Sequence, residues 1–213
     1  MAQITDKLRA IMALDPARAE IDFKGADYSW GDLSAAVEAI EAMLGAMDLP
    51  PEARIGVLLR NRPGHVAAIL AVLSSDRCLV SLNPLLPDTR LAADLEALAL
   101  GVIIADEEDL ARPALLDRAR KNGSAVIAID PLLAGVRLVA GCERPRGPVS
   151  ASPGVAIEML TSGTTGTPKR VPLTREAFDA SFAGFIAYVR GRDFPVAPRQ
   201  LSGGPVAVLQ RAV

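Results

Sequence analysis

Between Thr161 and Lys169 the chain reads TSGTTGTPK. Thr161, Ser162, Thr164, Thr165 and Thr167 supply hydroxyl donors, while Gly163 and Gly166 let the backbone take positive φ angles and approach a ligand closely. Successive N–H groups from Ser162 to Thr167 can then converge on one anion. Pro168 stiffens the exit and presents Lys169, a mobile cation able to follow a leaving phosphate. Each charge-assisted hydrogen bond contributes about 1.5–3 kcal/mol, so a handful suffices for a nucleotide triphosphate. The spacing G-x-x-G-x-x-K, with proline directly before lysine, is neither the loop whose lysine opens a helix nor the dinucleotide pattern G-x-G-x-x-G. The plain alternative is a flexible Ser/Thr/Gly linker. Against it, the apolar runs VAIEML (155–160) and RVPLT (170–174) close on the segment from both sides.

The elements that must position this loop read as α/β. Ile4 to Leu14 has helical spacing and is closed by Pro16; AEIDFKGADYSW then suggests a hairpin turning at Lys24-Gly25. Ser29 and Asp32 form an S-x-x-D cap for a helix whose Leu33, Ala36, Val37, Ile40, Met43, Leu44 and Met47 share one face. RIGVLLR (54–60), CLVSL (78–82), VIIAD (102–106) and AVIAID (125–130) are continuous apolar runs. Between them lie a helix opened by Asn61 to Pro63, one capped by Asp88 and running to Ala99, and a charged one over 107–121. Apolar strands alternating with amphipathic helices predict a mostly parallel sheet flanked by helices. The stretch 141–154, broken by Gly141, Pro145, Gly147, Pro148, Pro153 and Gly154, reads as a linker. It divides residues 1–150, an α/β subdomain, from 151–213, the start of a next subdomain carrying the loop. Thr174 is a good N-cap for a helix from Arg175 to about Arg190.

Composition narrows the class. At net charge −2 and 50% apolar residues in 213, nothing marks a nucleic-acid partner. The longest apolar run, Val66 to Leu73, is too short to span a bilayer, and the N-terminus lacks a signal-peptide pattern. Cys78 and Cys142 have no metal-ligand spacing, so reduced thiols in a cytoplasmic protein and no metal site are expected. His65 is the single histidine, expected at the surface or satisfied by a neighbour; Trp30 is expected to pack, and Glu107–Glu108–Asp109 to form an acidic first helical turn.

TSGTTGTPK resembles the phosphate-binding signature of the adenylate-forming superfamily, the AMP-dependent synthetases and ligases that include acyl-CoA and aryl-CoA synthetases. The resemblance extends upstream through YSWGDLSAAVEAIEAML and through RIGVLLRNRPGHVAAILAVLSSDRCLVSLNPLLPDTRLAADLEAL, covering about residues 20 to 175. It implies that a carboxylic acid substrate attacks the α-phosphate of Mg2+-bound ATP, giving an acyl-adenylate and pyrophosphate, and that a thiol such as coenzyme A then displaces AMP. It also implies the fold of the N-terminal subdomains of these enzymes. Thr161, Ser162, Gly163, Thr164, Thr165, Gly166, Thr167 and Lys169 would be the ATP-binding residues, with Lys169 meeting the leaving pyrophosphate as the catalytic one.

Two departures stand out. Arg170 occupies a position where the family usually has glycine; it could contact phosphate, restrict the loop, or face solvent at a strand start. The family's adenine pocket, Mg2+-holding glutamate, ribose-binding aspartate and mobile C-terminal domain would follow Val213, so the chain resembles a truncated, N-terminal part of such an enzyme and is expected to be inactive alone. Two alternatives stay open: an amino-acid adenylation module or other ligase of the superfamily, and a non-catalytic nucleotide-binding or scaffold chain.

Overall fold

The computed structural model describes residues 4–160 and 169–181. Helix α1 (Ile4–Leu14) leads into a hairpin of β1 (Ala19–Phe23) and β2 (Ala26–Ser29), which turns through Lys24 and Gly25, both at positive φ. Helix α2 (Trp30–Gly45) starts in a reciprocal capping box: Ser29 Oγ accepts the Asp32 N–H and Asp32 accepts the Ser29 N–H. Then follow β3 (Arg54–Leu58), α3 (Pro63–Ser74), β4 (Cys78–Leu82), α4 (Asp88–Leu98), β5 (Val102–Asp106), α5 (Glu107–Leu110), α6 (Pro113–Asn122), β6 (Ala125–Ile129), β7 (Val136–Leu138), β8 (Val155–Leu160) and β9 (Arg170–Thr174). Residues 175–181 are helical, and Thr174 Oγ1 accepts the Ala177 N–H as its cap.

Among the described residues, seven strands form one sheet in the order β7-β6-β5-β3-β4-β8-β9. The pairs β3–β4, β3–β5, β4–β8 and β5–β6 are parallel; β7 and β9 close the two edges antiparallel. The period of two in the strands sorts their side chains between two cores. Ile55, Val57, Leu79, Val102, Ile104, Ala125, Ile127 and Ile129 join α1, α2 and α3 on one face. Leu58, Cys78, Val80, Leu82, Ile103, Ala105, Val126 and Ala128 join α4, α5 and α6 on the other. Two-sided burial is why these runs are apolar throughout rather than alternating.

Three details differ from the sequence-based expectation. The charged helix over 107–121 is two helices, because Pro113 has no N–H to give a helix interior and serves instead as the first residue of α6. Asp88 does not cap α4: the cap position is Pro87, and the Asp88 carboxylate is taken by Arg112 Nε at 2.8 Å. The strand β7 was not anticipated, its three residues being too few to show a period.

Candidate functional site

The chain leaves β3 for β4 on one side and later crosses to β5 on the other, so neighbouring connections diverge between β3 and β5. Open α/β sheets bind ligands outside the carboxyl ends of their strands, near such a switch point. Strand β8 runs parallel to β4, so its last residue, Leu160, lies at that same edge.

Residues 161–168, which include Thr161, Ser162, Gly163, Thr164, Thr165, Gly166 and Thr167, lie outside the described residues. Their stem is defined: β8 and β9 are antiparallel, and Leu160 is the register partner of Arg170. Lys169 is exposed immediately before β9. Ser81 of β4 holds both legs of the stem. Its Oγ accepts the Leu160 N–H at 3.3 Å, and its carbonyl accepts Arg170 Nη1 at 3.1 Å. Arg170 therefore does not face solvent; its guanidinium reaches back across β8 to the backbone of β4, and burial pulls its pKa below that of a solvated guanidinium.

Two residues before Leu160 in β8, opposite Pro172, sits Glu158. Arg54 of β3 grips it with two parallel hydrogen bonds, Nε to Oε1 at 2.9 Å and Nη2 to Oε2 at 2.7 Å, and Ser152 Oγ donates to Oε1 at 2.7 Å. Burial alone would raise the Glu158 pKa, but these hydrogen bonds outweigh it and hold the carboxyl below its usual range. The pair spans β4 and locks β8 to the middle of the sheet.

A second polar cluster fills the carboxyl ends of β3 and β5. Arg60 donates to both oxygens of Asp109, at 3.1 and 2.8 Å, and Arg62 donates to Asp106 at 2.7 Å and to Glu108 at 2.5 Å. Asp106 Oδ1 caps α5 by accepting the Asp109 N–H. His65, in the first turn of α3, is fully buried with Nε2 3.7 Å from Asp106 Oδ2, and neither ring nitrogen has a hydrogen-bond partner. The expectation of a surface or satisfied histidine is thus corrected: α3 is buried along nearly its whole length, and Gly64, next to His65, packs closely on the backbone of Asp130 and Pro131. Burial pushes the His65 pKa down to about 4, so the imidazole is neutral at pH 7. Periodicity could not reveal this, because α3 is buried on nearly every side and its sequence carries no polar stripe. Cys142 is likewise buried although it lies in a loop, and the burial of both cysteines raises their thiol pKa values, to about 11 for Cys78. No helix among the described residues is long and apolar enough to cross a membrane.

Comparison with known proteins converges on one family. The sequence model described as AMP-binding enzyme matches residues 8–207. Surfactin synthase subunit 1 of Bacillus subtilis is 28% identical over 162 residues, covering 75% of this chain and 4% of that protein. The apo MatB crystal structure from Rhodopseudomonas palustris superposes with a TM-score of 0.64 at 18% identity, over 86% of this chain and 38% of that one. The o-succinylbenzoate CoA synthetase MenE of Bacillus subtilis, solved with its acyl-adenylate intermediate OSB-AMP, superposes with a TM-score of 0.59 at 20% identity, over 92% and 48%. The two superpositions establish a shared fold. The chain spans well under half the length of the curated proteins it matches, between 1% and 12% for several of them. With the family match covering nearly all of its length, and the fold agreeing, the chain belongs to the AMP-binding, adenylate-forming enzymes.

Proposed function

We propose that this chain is the phosphate-handling N-terminal part of an ATP-dependent acid–thiol ligase of the acyl- or aryl-CoA type. A carboxylate oxygen attacks the α-phosphorus of ATP, the bond to the β-phosphate bridging oxygen breaks, and pyrophosphate leaves with the electron pair. A thiol, coenzyme A in this reading, then displaces AMP from the acyl-adenylate. Residues Thr161 to Thr167 hold the β,γ end through backbone N–H groups and hydroxyls, and Lys169 meets charge that appears only as pyrophosphate departs. Residues 151–213 open the subdomain that contributes this loop. The cytoplasm is its compartment.

The observation that carries the proposal is the pairing of motif with position. TSGTTGTPK joins two strands whose register partners are Leu160 and Arg170, at the carboxyl edge of a parallel sheet. Mg2+ normally accompanies ATP, keeping several waters and binding phosphate oxygens. The candidate metal group among the described residues, His65 with Asp106 and Asp109, is fully buried and does not fit that role. Amino-acid adenylation is a second reading, supported by the likeness to surfactin synthase subunit 1.

The two are separated by carboxylate-dependent ATP–pyrophosphate exchange in a complete enzyme carrying this chain, with panels of amino acids and of acyl or aryl acids. The proposal expects exchange with the second panel and formation of the coenzyme A thioester. Exchange with amino acids alone supports the second reading, and exchange with neither panel contradicts both.

A further inference from the structure

Buried polar groups are almost always paired, so a fully buried imidazole with two unpartnered nitrogens calls for an explanation. Around it, His65, Asp106 and Asp109 each offer a ligand atom, and the three atoms lie within 4.8 Å of one another. All three residues are fully buried. We propose that His65, Asp106 and Asp109 form a binding site for a divalent first-row transition ion such as Zn2+.

The donor set is one imidazole nitrogen and two carboxylates, which suits Zn2+, Co2+ or Mn2+ and not Mg2+. Two ligands of a tetrahedral ion lie about 3.4 Å apart at ordinary bond lengths, so the 3.7 Å between His65 Nε2 and Asp106 Oδ2 needs a small closing movement, and a separation near the 4.8 Å bound on the group a larger one. The arginines do not exhaust the carboxylates. Each carboxylate oxygen has two acceptor sites, and Asp106 Oδ2 uses one on Arg62 while each Asp109 oxygen uses one on Arg60. Arg60 and Arg62 then act from outside, orienting the ligating carboxylates by hydrogen bonds. Within the cluster, the carboxylates of Asp106, Glu108 and Asp109 face the guanidiniums of Arg60 and Arg62, leaving one negative charge for the ion to meet. Arg112 approaches Asp109 at 3.9 Å but is committed to Asp88 at 2.6 Å. One negative charge against a divalent ion predicts modest affinity. Entry is from the side of Glu108 and Arg62, whose side chains are 54% and 27% exposed.

The chain has a single histidine, which makes the test clean. The untagged 213-residue protein is stripped with chelator, then titrated with Zn2+ by calorimetry and with Co2+ by absorption and proton NMR, in the absence of nucleotide. The expected result is one equivalent bound, visible Co2+ bands, and paramagnetic loss of the two ring-proton signals of His65. His65→Gln should weaken binding at least about tenfold, and Mg2+ in large excess should not compete. Sharp, unshifted ring signals in saturating Co2+ would overturn the site, and so would a strong near-ultraviolet thiolate band pointing to Cys78 or Cys142. Those spectra use the unaltered protein, so they decide the matter even if His65→Gln fails to fold. Because no ATP is present, a negative result leaves the ligase proposal untouched.

Discussion

Replacing Arg54 by methionine keeps the apolar stem of the side chain and removes the fork that holds Glu158. Two charge-assisted hydrogen bonds to Glu158 are lost, each contributing about 1.5–3 kcal/mol, together with the longer ones from Nη1 to the Leu98 carbonyl at 3.4 Å and to Ser150 Oγ at 3.2 Å. The two side chains are 16% and 13% exposed, so some of that loss is recovered by water reaching Glu158, and Ser152 still donates to it. Breaking a fully buried pair costs about 3–5 kcal/mol; for this geometry about 3 kcal/mol is expected. With a urea slope of about 2 kcal/mol/M, the unfolding midpoint should fall by about 1.5 M at pH 7. The double variant Arg54→Met/Glu158→Gln should regain much of the loss, since no buried charge is then left unpaired. pH supplies an independent check. The folded pKa of Glu158 is held below its unfolded value, so its stabilisation is present above the unfolded pKa, ordinarily 4.5, and is lost as pH falls through the folded one. The gap between the native protein and Glu158→Gln should therefore shrink on acidification below about pH 4.5. A midpoint change under about 0.5 M for Arg54→Met, or a double variant no better than the single one, would refute the view that this pair fastens β8 to the sheet.

Other perturbations address the loop and its supports. Lys169→Ala in a complete enzyme should slow adenylate formation about 10²–10³-fold while sparing thiol transfer; pyrophosphate exchange within a few-fold of normal removes Lys169 from the chemistry. Arg170→Gly restores the family residue but loses the hydrogen bond to Ser81, so it should cost about 1 kcal/mol in urea unfolding, and an unchanged midpoint would mean the bond contributes nothing. Gly64→Ala would place a Cβ well under 3.0 Å from the Asp130 carbonyl oxygen, a backbone atom with little room to move. Destabilisation of about 3 kcal/mol is expected, and near-native thermal unfolding by circular dichroism would show that α3 can shift freely.

Much of the fold was legible because local rules agreed with one another. The apolar runs 54–60, 78–82, 102–106 and 125–130 read as doubly covered strands, and the structure has strands at 54–58, 78–82, 102–106 and 125–129; Ser29 with Asp32 announced a helix start that the structure keeps. What was not legible depends on long-range placement. Nothing local says that β3 is central, with β4 and β5 on opposite sides, yet this order creates the switch point. Nor does a sequence say where a long side chain turns. Arg170 looked equally suited to phosphate, loop or solvent until Ser81, 89 positions away in the chain, was seen to accept its hydrogen bond. His65 was misjudged for a related reason: one polar residue on a helix gives no periodic signal, and its surroundings include Asp106 of β5 and, beside Gly64, the turn at Asp130 after β6, both distant in the chain. The loop TSGTTGTPK is the reverse case: most of it lies outside the described residues, and its proposed role rests on residue types and spacing.

The central claim is that TSGTTGTPK holds the phosphate end of ATP. It is tested most directly by titrating the isotope-labelled 213-residue chain with ATP, pyrophosphate and AMP, and following backbone amide signals by NMR. Weak, saturable shifts of Gly163, Gly166 and Lys169 are expected with ATP and with pyrophosphate, and none with AMP at equal concentration. Equal shifts with AMP and ATP, or silence of all three residues toward pyrophosphate, would contradict it.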